Sequence, residues 1–551
     1  MEENMKQKLK KILENLQHDY SASKNFREAA FRQYQRYHSR IFNPVKNPHK
    51  KIINLFPKLR ENFRLNQIVS IYLPPKKKLY PRLGKEGYNH IKQLIINAEN
   101  IKEGIFKTGF FLVNAGLPDE AIYCLEKCLS LGPEDYILHF YLQFLIYTSP
   151  EKFSLQDIYN IHVKWGKTLV ELPKYETYPN PLTLNRRLKI GFTCHFVTNS
   201  TSTTLLLPIL KAHHREKVEV FMYSDEKPNP ANDRVKTTVE HWRDTYGLSN
   251  DEFCEQIRQD RIDILFELNG HCVVNRYRAL TRKPAPIQIS YYNYSCTTGV
   301  PGIDYTIAGK GNADFSDLQP YYSEKIFVLK GVGAATALSS HFPPVSPPPV
   351  IQNGYITFGS FGQAHKVSRD MIQIWCKILK RVPNSRFYMK ATILDNSIHL
   401  AMYRKHFEDT GIDMSRIILE GNSDYDALLK LYSKVDIALD SYPHAAGTTT
   451  IEAFLQGVPT ISLVGQRYCS RHGFSNLHAV GHDELLAYSK EEYIEKAVAL
   501  ASDKDRLMRY RQTFRDDYKN SSRADMESFI NDLEDAYTEM WSTYIKQQGI
   551  Q

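Results

Sequence analysis

The chain has 551 residues, 42% of them hydrophobic and 24% charged, with a net charge of +10. That length exceeds one compact core and predicts about three to four domains. No apolar run reaches the ~20 residues needed to cross a bilayer, and the polar start Met1–Lys8 lacks the apolar segment of a signal peptide. The eight cysteines form no Cys-x-x-Cys pair, which fits a reduced, cytoplasmic setting.

The positive charge is concentrated at the start. Residues 1–100 hold 21 Lys and Arg against 8 Asp and Glu, and the remainder is close to neutral. This region reads as basic and helical, broken near Asn43-Pro44 and Asn47-Pro48. Such a face suits an acidic protein partner, with nucleic acid and an anionic membrane less favoured, although a solvated helical surface accounts for it more simply.

Residues 101–180 form a second helical region. Gly109-Phe110-Phe111-Leu112, then Ala115-Gly116-Leu117-Pro118, Ala121-Ile122, Leu125, Leu129 and Pro133 follow the helix–turn–helix pattern of one tetratricopeptide unit. Residues 136–147 begin a further helix. One unit cannot make a solenoid, so it is expected to pack on the body of the protein. Cys124 and Cys128, one helical turn apart, are expected to pack rather than bind metal.

From 185 to 340 short β-rich runs alternate with helical ones: 189–193, 218–223, 262–268 and 287–291 as strands, 203–214 and 246–260 as helices. The alternation predicts a parallel doubly wound sheet. Prolines at 343–344 and 347–349 mark a linker. A second α/β series spans 350–490, with strands at 355–359, 386–389, 417–419, 436–439 and 460–464. Residues 491–551 read as charged helices. The expected fold is α/β, with two Rossmann-like domains facing a cleft behind an all-α, partly tetratricopeptide-like region.

The most informative stretch is 436–466. A buried strand ends in Leu439-Asp440, a turn follows, and Gly447-Thr448-Thr449-Thr450 opens a helix with Glu452 in its first turn and Gly457-Val458-Pro459 after it. Unpaired amides and the positive end of the helix dipole, beside three hydroxyls, suit a phosphate or diphosphate. A second segment runs Ser360-Phe361-Gly362-Gln363-Ala364-His365-Lys366, then Trp375 and Val382-Pro383-Asn384-Ser385. A third runs Leu268-Asn269-Gly270-His271, Arg282 to Gln288, Tyr294, Thr297-Thr298-Gly299 and Asp304-Tyr305.

These ordered motifs resemble the protein O-GlcNAc transferase family, glycosyltransferase family 41, which also holds the SPINDLY-type fucosyltransferases; the resemblance spans roughly residues 185–500. It implies the two-domain fold of the B-type glycosyltransferases. It implies donor contacts from Gln363, Lys366, Gly447, Thr448, Thr449, Thr450 and Glu452, with Lys366 as a catalytic cation. A fixed ammonium and helix-terminus amides can stabilise the diphosphate leaving group in place of a metal, and no Asp-x-Asp pair stands at the strand ends. Neither metal nor cofactor is therefore expected beyond the nucleotide-sugar co-substrate. Asn269, Gly270, Thr297, Thr298 and Gly299 are expected in a sugar- or acceptor-facing loop at the ligand edge of the first sheet.

The chain departs from the family in two places. The first-strand loop, Cys194-His195-Phe196-Val197-Thr198-Asn199-Ser200, lacks a histidine where relatives carry one, and Leu428 and its neighbours supply no histidine to stack on a base. Uridine and guanosine both stay open. The implied reaction is an inverting transfer, favoured from UDP-GlcNAc, to Ser or Thr of a protein or peptide. His195, Asp263 and His271 are the candidate bases, His271 being equally readable as a structural histidine, and a donor phosphate oxygen is the further option. The alternatives are GDP-fucose as donor, UDP-hexose transfer to Asn, and a donor-binding scaffold for another glycosyltransferase.

Overall fold

The computed structural model describes residues 71–197, 200–272, 274–309, 316–336 and 342–549. Most of the basic N-terminal region, residues 1–70, lies outside the described residues, as do Thr198 and Asn199.

Five helices lead: α1 (Lys76–Ile96), α2 (Ile101–Asn114), α3 (Pro118–Ser130), α4 (Asp135–Leu145) and α5 (Leu155–Gly166). Their ends follow local chemistry. Asn100 caps α2 by accepting the Glu103 amide, Pro118 opens α3 with Asp119 and Glu120 in its first turn, and Ser154 and Asp157 form a capping box on α5. Gly109 lets α2 and α3 approach closely, since a Cβ there would lie 3.0 Å from the Leu125 side chain. Cys124 and Cys128 are buried in this packing.

The first α/β lobe has seven strands: β1 (Leu188–Cys194), β2 (Val218–Ser224), β3 (His241–Asp244), β4 (Ile264–Glu267), β5 (Ile287–Ser290), β6 (Tyr305–Gly309) and β7 (Lys325–Leu329), in the order β3-β2-β1-β4-β5-β6-β7 and all parallel. Helices α6 (Ser200–Ala212) and α7 (Asn250–Asp260) stand where periodicity placed them. Three strands carry no sequence expectation. β3 reads His-Trp-Arg-Asp and is only half-buried at the sheet edge, and β7 is the opposite edge, so neither needs the apolar run of a central parallel strand. β6 is buried but begins in the tyrosine motif rather than in an aliphatic run.

The second lobe orders its strands β10-β9-β8-β11-β12-β13, again parallel: β8 (Thr357–Ser360), β9 (Arg386–Lys390), β10 (Ile417–Glu420), β11 (Ile437–Leu439), β12 (Thr460–Leu463) and β13 (Leu486–Ala487). Its helices are α8 (Arg369–Arg381), α9 (Ser397–Glu408), α10 (Tyr425–Leu431), α11 (Thr448–Leu455) and α12 (His472–Ala479). The terminal helices serve both lobes. α13 (Lys490–Ala501) and α14 (Lys504–Lys519) put Tyr493, Leu500 and Phe514 into the core around Trp375 and Phe387. α15 (Met526–Gln547) returns to the first lobe, where Phe529, Tyr537 and Trp541 cover Ile190, Phe192 and Phe266.

Strand order reverses at β1/β4 in one sheet and at β8/β11 in the other, and an open parallel sheet binds its ligands outside the carboxyl ends at such a point. The β8 loop carries Gln363 and Lys366; the β11 loop carries Gly447 to Thr450. The helical region docks on both lobes. Arg369 N donates to Gly116 O (2.9 Å) and His406 Nε2 to Ala115 O (2.7 Å) in the second lobe, and Tyr294 Oη donates to Leu142 O (3.0 Å) from the first.

Candidate active site

The β11 turn is held by Asp440. Its Oδ1 accepts the amides of Ser441 and Ala446, both at 2.7 Å, and its Oδ2 accepts the Ser462 hydroxyl at 2.6 Å. Burial pushes this carboxyl up to about 6. The turn delivers the chain to α11, whose N-cap Gly447 has no side chain to cap the helix. The Thr450 hydroxyl is spent on Ala446 O (3.1 Å). Those of the half-buried Thr448 and Thr449 make no hydrogen bond among the described residues, so amides and hydroxyls at this terminus remain available to an anion. A shallow crevice runs between this terminus and the β8 loop, lined by Gly359, Phe361, Tyr432, Asp440, Thr449 and Thr450.

Further along the β8 loop Lys366 ends a short 3-10 turn (Ala364–Lys366) with the exposed Gln363 as its N-cap. Tyr403 Oη donates to Ala364 O (2.7 Å) and anchors the turn. The Lys366 ammonium is half-buried and makes no hydrogen bond or ion pair among the described residues. Burial lowers its pKa, and Asp440 partly offsets this. A half-buried cation without a partner among the described residues, within electrostatic reach of the Asp440 that holds the turn into the uncapped α11 terminus, suits an anion.

Three histidines crowd this lysine. His365 and His472 are driven down to about 3, and His444 well below its ordinary value, by burial first and then by the Lys366 charge. Tyr147, from the segment after α4, lies flat on His444 (centroids 4.7 Å, planes 7° apart) and meets His365 edge-on at 5.0 Å. The first lobe reaches the same cluster through Ser295, whose Oγ is 2.8 Å from His472 Nε2. Arg467 ties this corner to the helices, donating to Ile146 O (3.1 Å), Thr148 O (2.6 Å) and Phe153 O (2.5 Å). None of Tyr147, Ser295, His365, His444, His472 or Arg467 stood among the expected functional residues. His365 adjoins Lys366 and His444 lies in the donor turn, but nothing in the sequence joins them to a tyrosine from the distant helical region.

Several expectations are corrected. Asp263 stands at the amino end of β4, away from the ligand edge, and is wholly buried in a bidentate pair with Arg186 (2.7 and 2.7 Å), with Asn180 and the Lys189 amide on its remaining lone pairs; it holds the fold rather than a substrate proton. His271 has both ring nitrogens committed, Nε2 to Thr298 O (2.7 Å) and Nδ1 to His139 Nδ1 (2.9 Å), in a buried contact between α4 and the first lobe. The loop of Thr297, Thr298 and Gly299 faces inward. Both threonine hydroxyls and the Thr298 amide bind the buried Glu324 carboxylate. Gly299, at φ 66°, packs on α5 so closely that a Cβ would lie 2.3 Å from the His162 carbonyl carbon. Gly270, at φ 63°, is likewise closed by the Tyr294 ring. Asn269 is buried and accepts the His195 amide (2.7 Å), which places it at the sheet edge as a brace for that loop. His195 does sit at the carboxyl end of β1. Its Nδ1 donates to Asp225 O (2.8 Å), and burial lowers it to about 4.

Glu452 also turns away from the anion site. It is buried against Tyr425 and Tyr432, the latter donating from 3.4 Å, and desolvation raises it from 4.5 to about 7. The folded protein therefore holds this proton more tightly than the unfolded chain, and stability falls as pH rises from the ordinary carboxylate range through 7. Glu452→Gln should remove that fall. Urea titrations should find the variant more stable by on the order of 2–3 kcal/mol at pH 8 and little changed at pH 4. Equal stability of the two proteins at pH 8 would show that Glu452 is not held protonated.

Two parallel α/β lobes, each presenting the carboxyl ends of its strands at a reversal of strand order, have the fold of the B-type glycosyltransferases. The chain belongs to glycosyl transferase family 41, whose profile matches residues 165–333 and 350–533. It is 33% identical over 435 residues to the rice (Oryza sativa subsp. japonica) probable UDP-N-acetylglucosamine–peptide N-acetylglucosaminyltransferase SPINDLY, covering 77% of this chain and 46% of that protein. It is 29% identical over 395 residues to the Arabidopsis thaliana probable UDP-N-acetylglucosamine–peptide N-acetylglucosaminyltransferase SEC, covering 68% and 40%. The chain thus spans about half the length of the curated relatives it matches. Among solved structures, a mutant of the Thermobaculum terrenum O-GlcNAc transferase superposes with a TM-score of 0.78 at 27% identity, covering 86% of this chain and 90% of that one.

Proposed function

We propose that the protein transfers a sugar, favoured as GlcNAc from UDP-GlcNAc, to Ser or Thr hydroxyls of a protein, with inversion at the anomeric carbon. The observation that carries this reading is the Lys366 ammonium, without a partner among the described residues and within electrostatic reach of the Asp440 that holds the turn into the uncapped α11 terminus. Amides and hydroxyls of Thr448 and Thr449 hold the diphosphate, and Lys366 faces the bridging oxygen on which negative charge grows as the glycosidic bond breaks. Donors fixed in a water-poor site need no reorganisation at that moment, which is where such contacts contribute most. The same groups supply the positive charge a divalent metal would otherwise bring, so the reaction is proposed to need none.

The acceptor is read as a protein or peptide because the named relatives are peptide transferases and the helical region closes one side of the cleft. The exposed lysines of α1 (Lys76, Lys77, Lys78 and Lys85) support an acidic partner. A reducing, cytoplasmic setting is supported by eight free cysteines, and no described helix is long and apolar enough to cross a membrane.

The test is binding and turnover of UDP-GlcNAc, UDP-glucose, UDP-GalNAc and GDP-fucose, each with EDTA present. Turnover of UDP-GlcNAc with chelator is the expected result. Turnover of GDP-fucose instead would reassign the sugar, loss with EDTA would overturn metal independence, binding of a donor without turnover would leave a donor-binding scaffold, and binding of no donor would overturn the reading.

A further inference from the structure

His472 opens α12 in the second lobe, and Ser295 stands in the loop after β5 in the first. Their bond, Nε2 to Oγ at 2.8 Å, crosses the cleft within electrostatic reach of Lys366. The other imidazoles are differently placed. His444 uses Nδ1 on Ala445 O (3.0 Å) and its face on Tyr147. His365 is closed edge-on by Tyr147, His271 has no nitrogen left, and His195 is braced on the far wall by Asp225 and Asn269. Among the described residues His472 is the histidine near Lys366 whose ring nitrogen already meets a hydroxyl from the opposite lobe.

We infer that Ser295 and His472 form a two-step proton relay for the acceptor hydroxyl, a role that rests on the transferase reading above. The acceptor oxygen bonds to the anomeric carbon while the bond from that carbon to the phosphate oxygen breaks, its electron pair leaving on the nucleoside diphosphate. The acceptor's proton passes to Ser295 Oγ, and the Ser295 proton passes to His472 Nε2. Charge balances: the imidazole becomes imidazolium as the departing diphosphate gains one negative charge, and the proton leaves with product or solvent.

The electrostatics favour this timing. The groups facing His472 are Lys366 and Arg523, both cationic, with neutral His444 and Tyr468 against the ring. With no anion bound, the two cations and burial hold the imidazole at about 3, neutral and weakly basic. A diphosphate on Lys366 offsets the nearer cation, so His472 gains proton affinity when the donor is in place. Ser295 touches the acceptor; His472 acts through it and is a positioning residue in that sense.

The test compares wild type, His472→Gln, His472→Ala and Ser295→Ala in two assays with each donor of the panel: equilibrium binding, and release of nucleoside diphosphate with water and a pooled Ser/Thr peptide library as acceptors. Gln keeps an amide oxygen to accept from the Ser295 hydroxyl but cannot take its proton. His472→Gln should lose at least ~100-fold in kcat, the range of a positioned base, with donor Kd within about twofold of wild type. Ser295→Ala should lose kcat in the same direction with donor Kd likewise kept, and free imidazole should restore part of the rate to His472→Ala only. Wild-type turnover by His472→Gln, or loss of donor binding in step with turnover, would overturn the relay while leaving the transferase reading intact. Binding of no donor by wild type would overturn both.

Discussion

Lys366→Ala should lower sugar transfer by about 100- to 1000-fold, the scale on which a single fixed donor to a developing anion contributes. The loss should fall on kcat more than on donor affinity, because the α11 amides and the Thr448 and Thr449 hydroxyls still hold the diphosphate in the ground state. The fold should not suffer. The ammonium has no partner to orphan, and burial already lowers its pKa, so a melting temperature equal to or slightly above wild type is expected. Relief of the same charge should let His365, His444 and His472 bind protons more readily, visible as an upward shift in their histidine titrations. Steady-state kinetics and a thermal melt on one preparation decide the matter: near-wild-type kcat, or a collapsed fold, would remove Lys366 from the role given to it.

Arg467→Ala should be the most destabilising single substitution in the cleft, by about 3 kcal/mol or more. The side chain is buried and its guanidinium satisfies three carbonyls, those of Ile146, Thr148 and Phe153. Removing it strands those carbonyls where water does not replace it and leaves a cavity between the helical region and the second lobe. Lysine cannot substitute, since one ammonium cannot reproduce the planar fork that spans the three acceptors. The same segment carries Tyr147, so transfer should fall further than the loss of folded protein explains, while donor binding at α11 is kept. Urea unfolding of Arg467→Ala and Arg467→Lys, read beside donor affinity, would show this; wild-type stability in either variant would mean that the helical region is held elsewhere.

The proposed donor half of the site rests on local features. Gly447 to Thr450 and the Gln363–Lys366 segment each supply their chemistry within a few consecutive residues at the end of one strand, and a helix terminus or a strand-end lysine is recognisable from its own neighbours. The acceptor half misled for the opposite reason. Thr297, Thr298 and Gly299 have the composition of a ligand loop, yet Glu324 takes the hydroxyls and α5 takes the glycine. Asp263 has the type of a base but the position of a structural anchor, which depends on which end of β4 it occupies. Glu452 follows the helix start as a ligand would, and only the packing of Tyr425 and Tyr432 turns it inward.

Apolar runs, prolines and the alternation of strand and helix thus determined two parallel α/β lobes, a helical region before them, and the places where an anion could bind, since each depends on forces acting along the chain. Tertiary structure alone decided which edge strands complete the sheets, that α15 closes the first lobe, and that His365, His444 and His472 gather near Lys366 with Tyr147 and Ser295 against them. Those residues come from three separate parts of the chain, and their meeting is set by how the lobes and helices bury surface against one another, for which no local pattern in the sequence carries a signal.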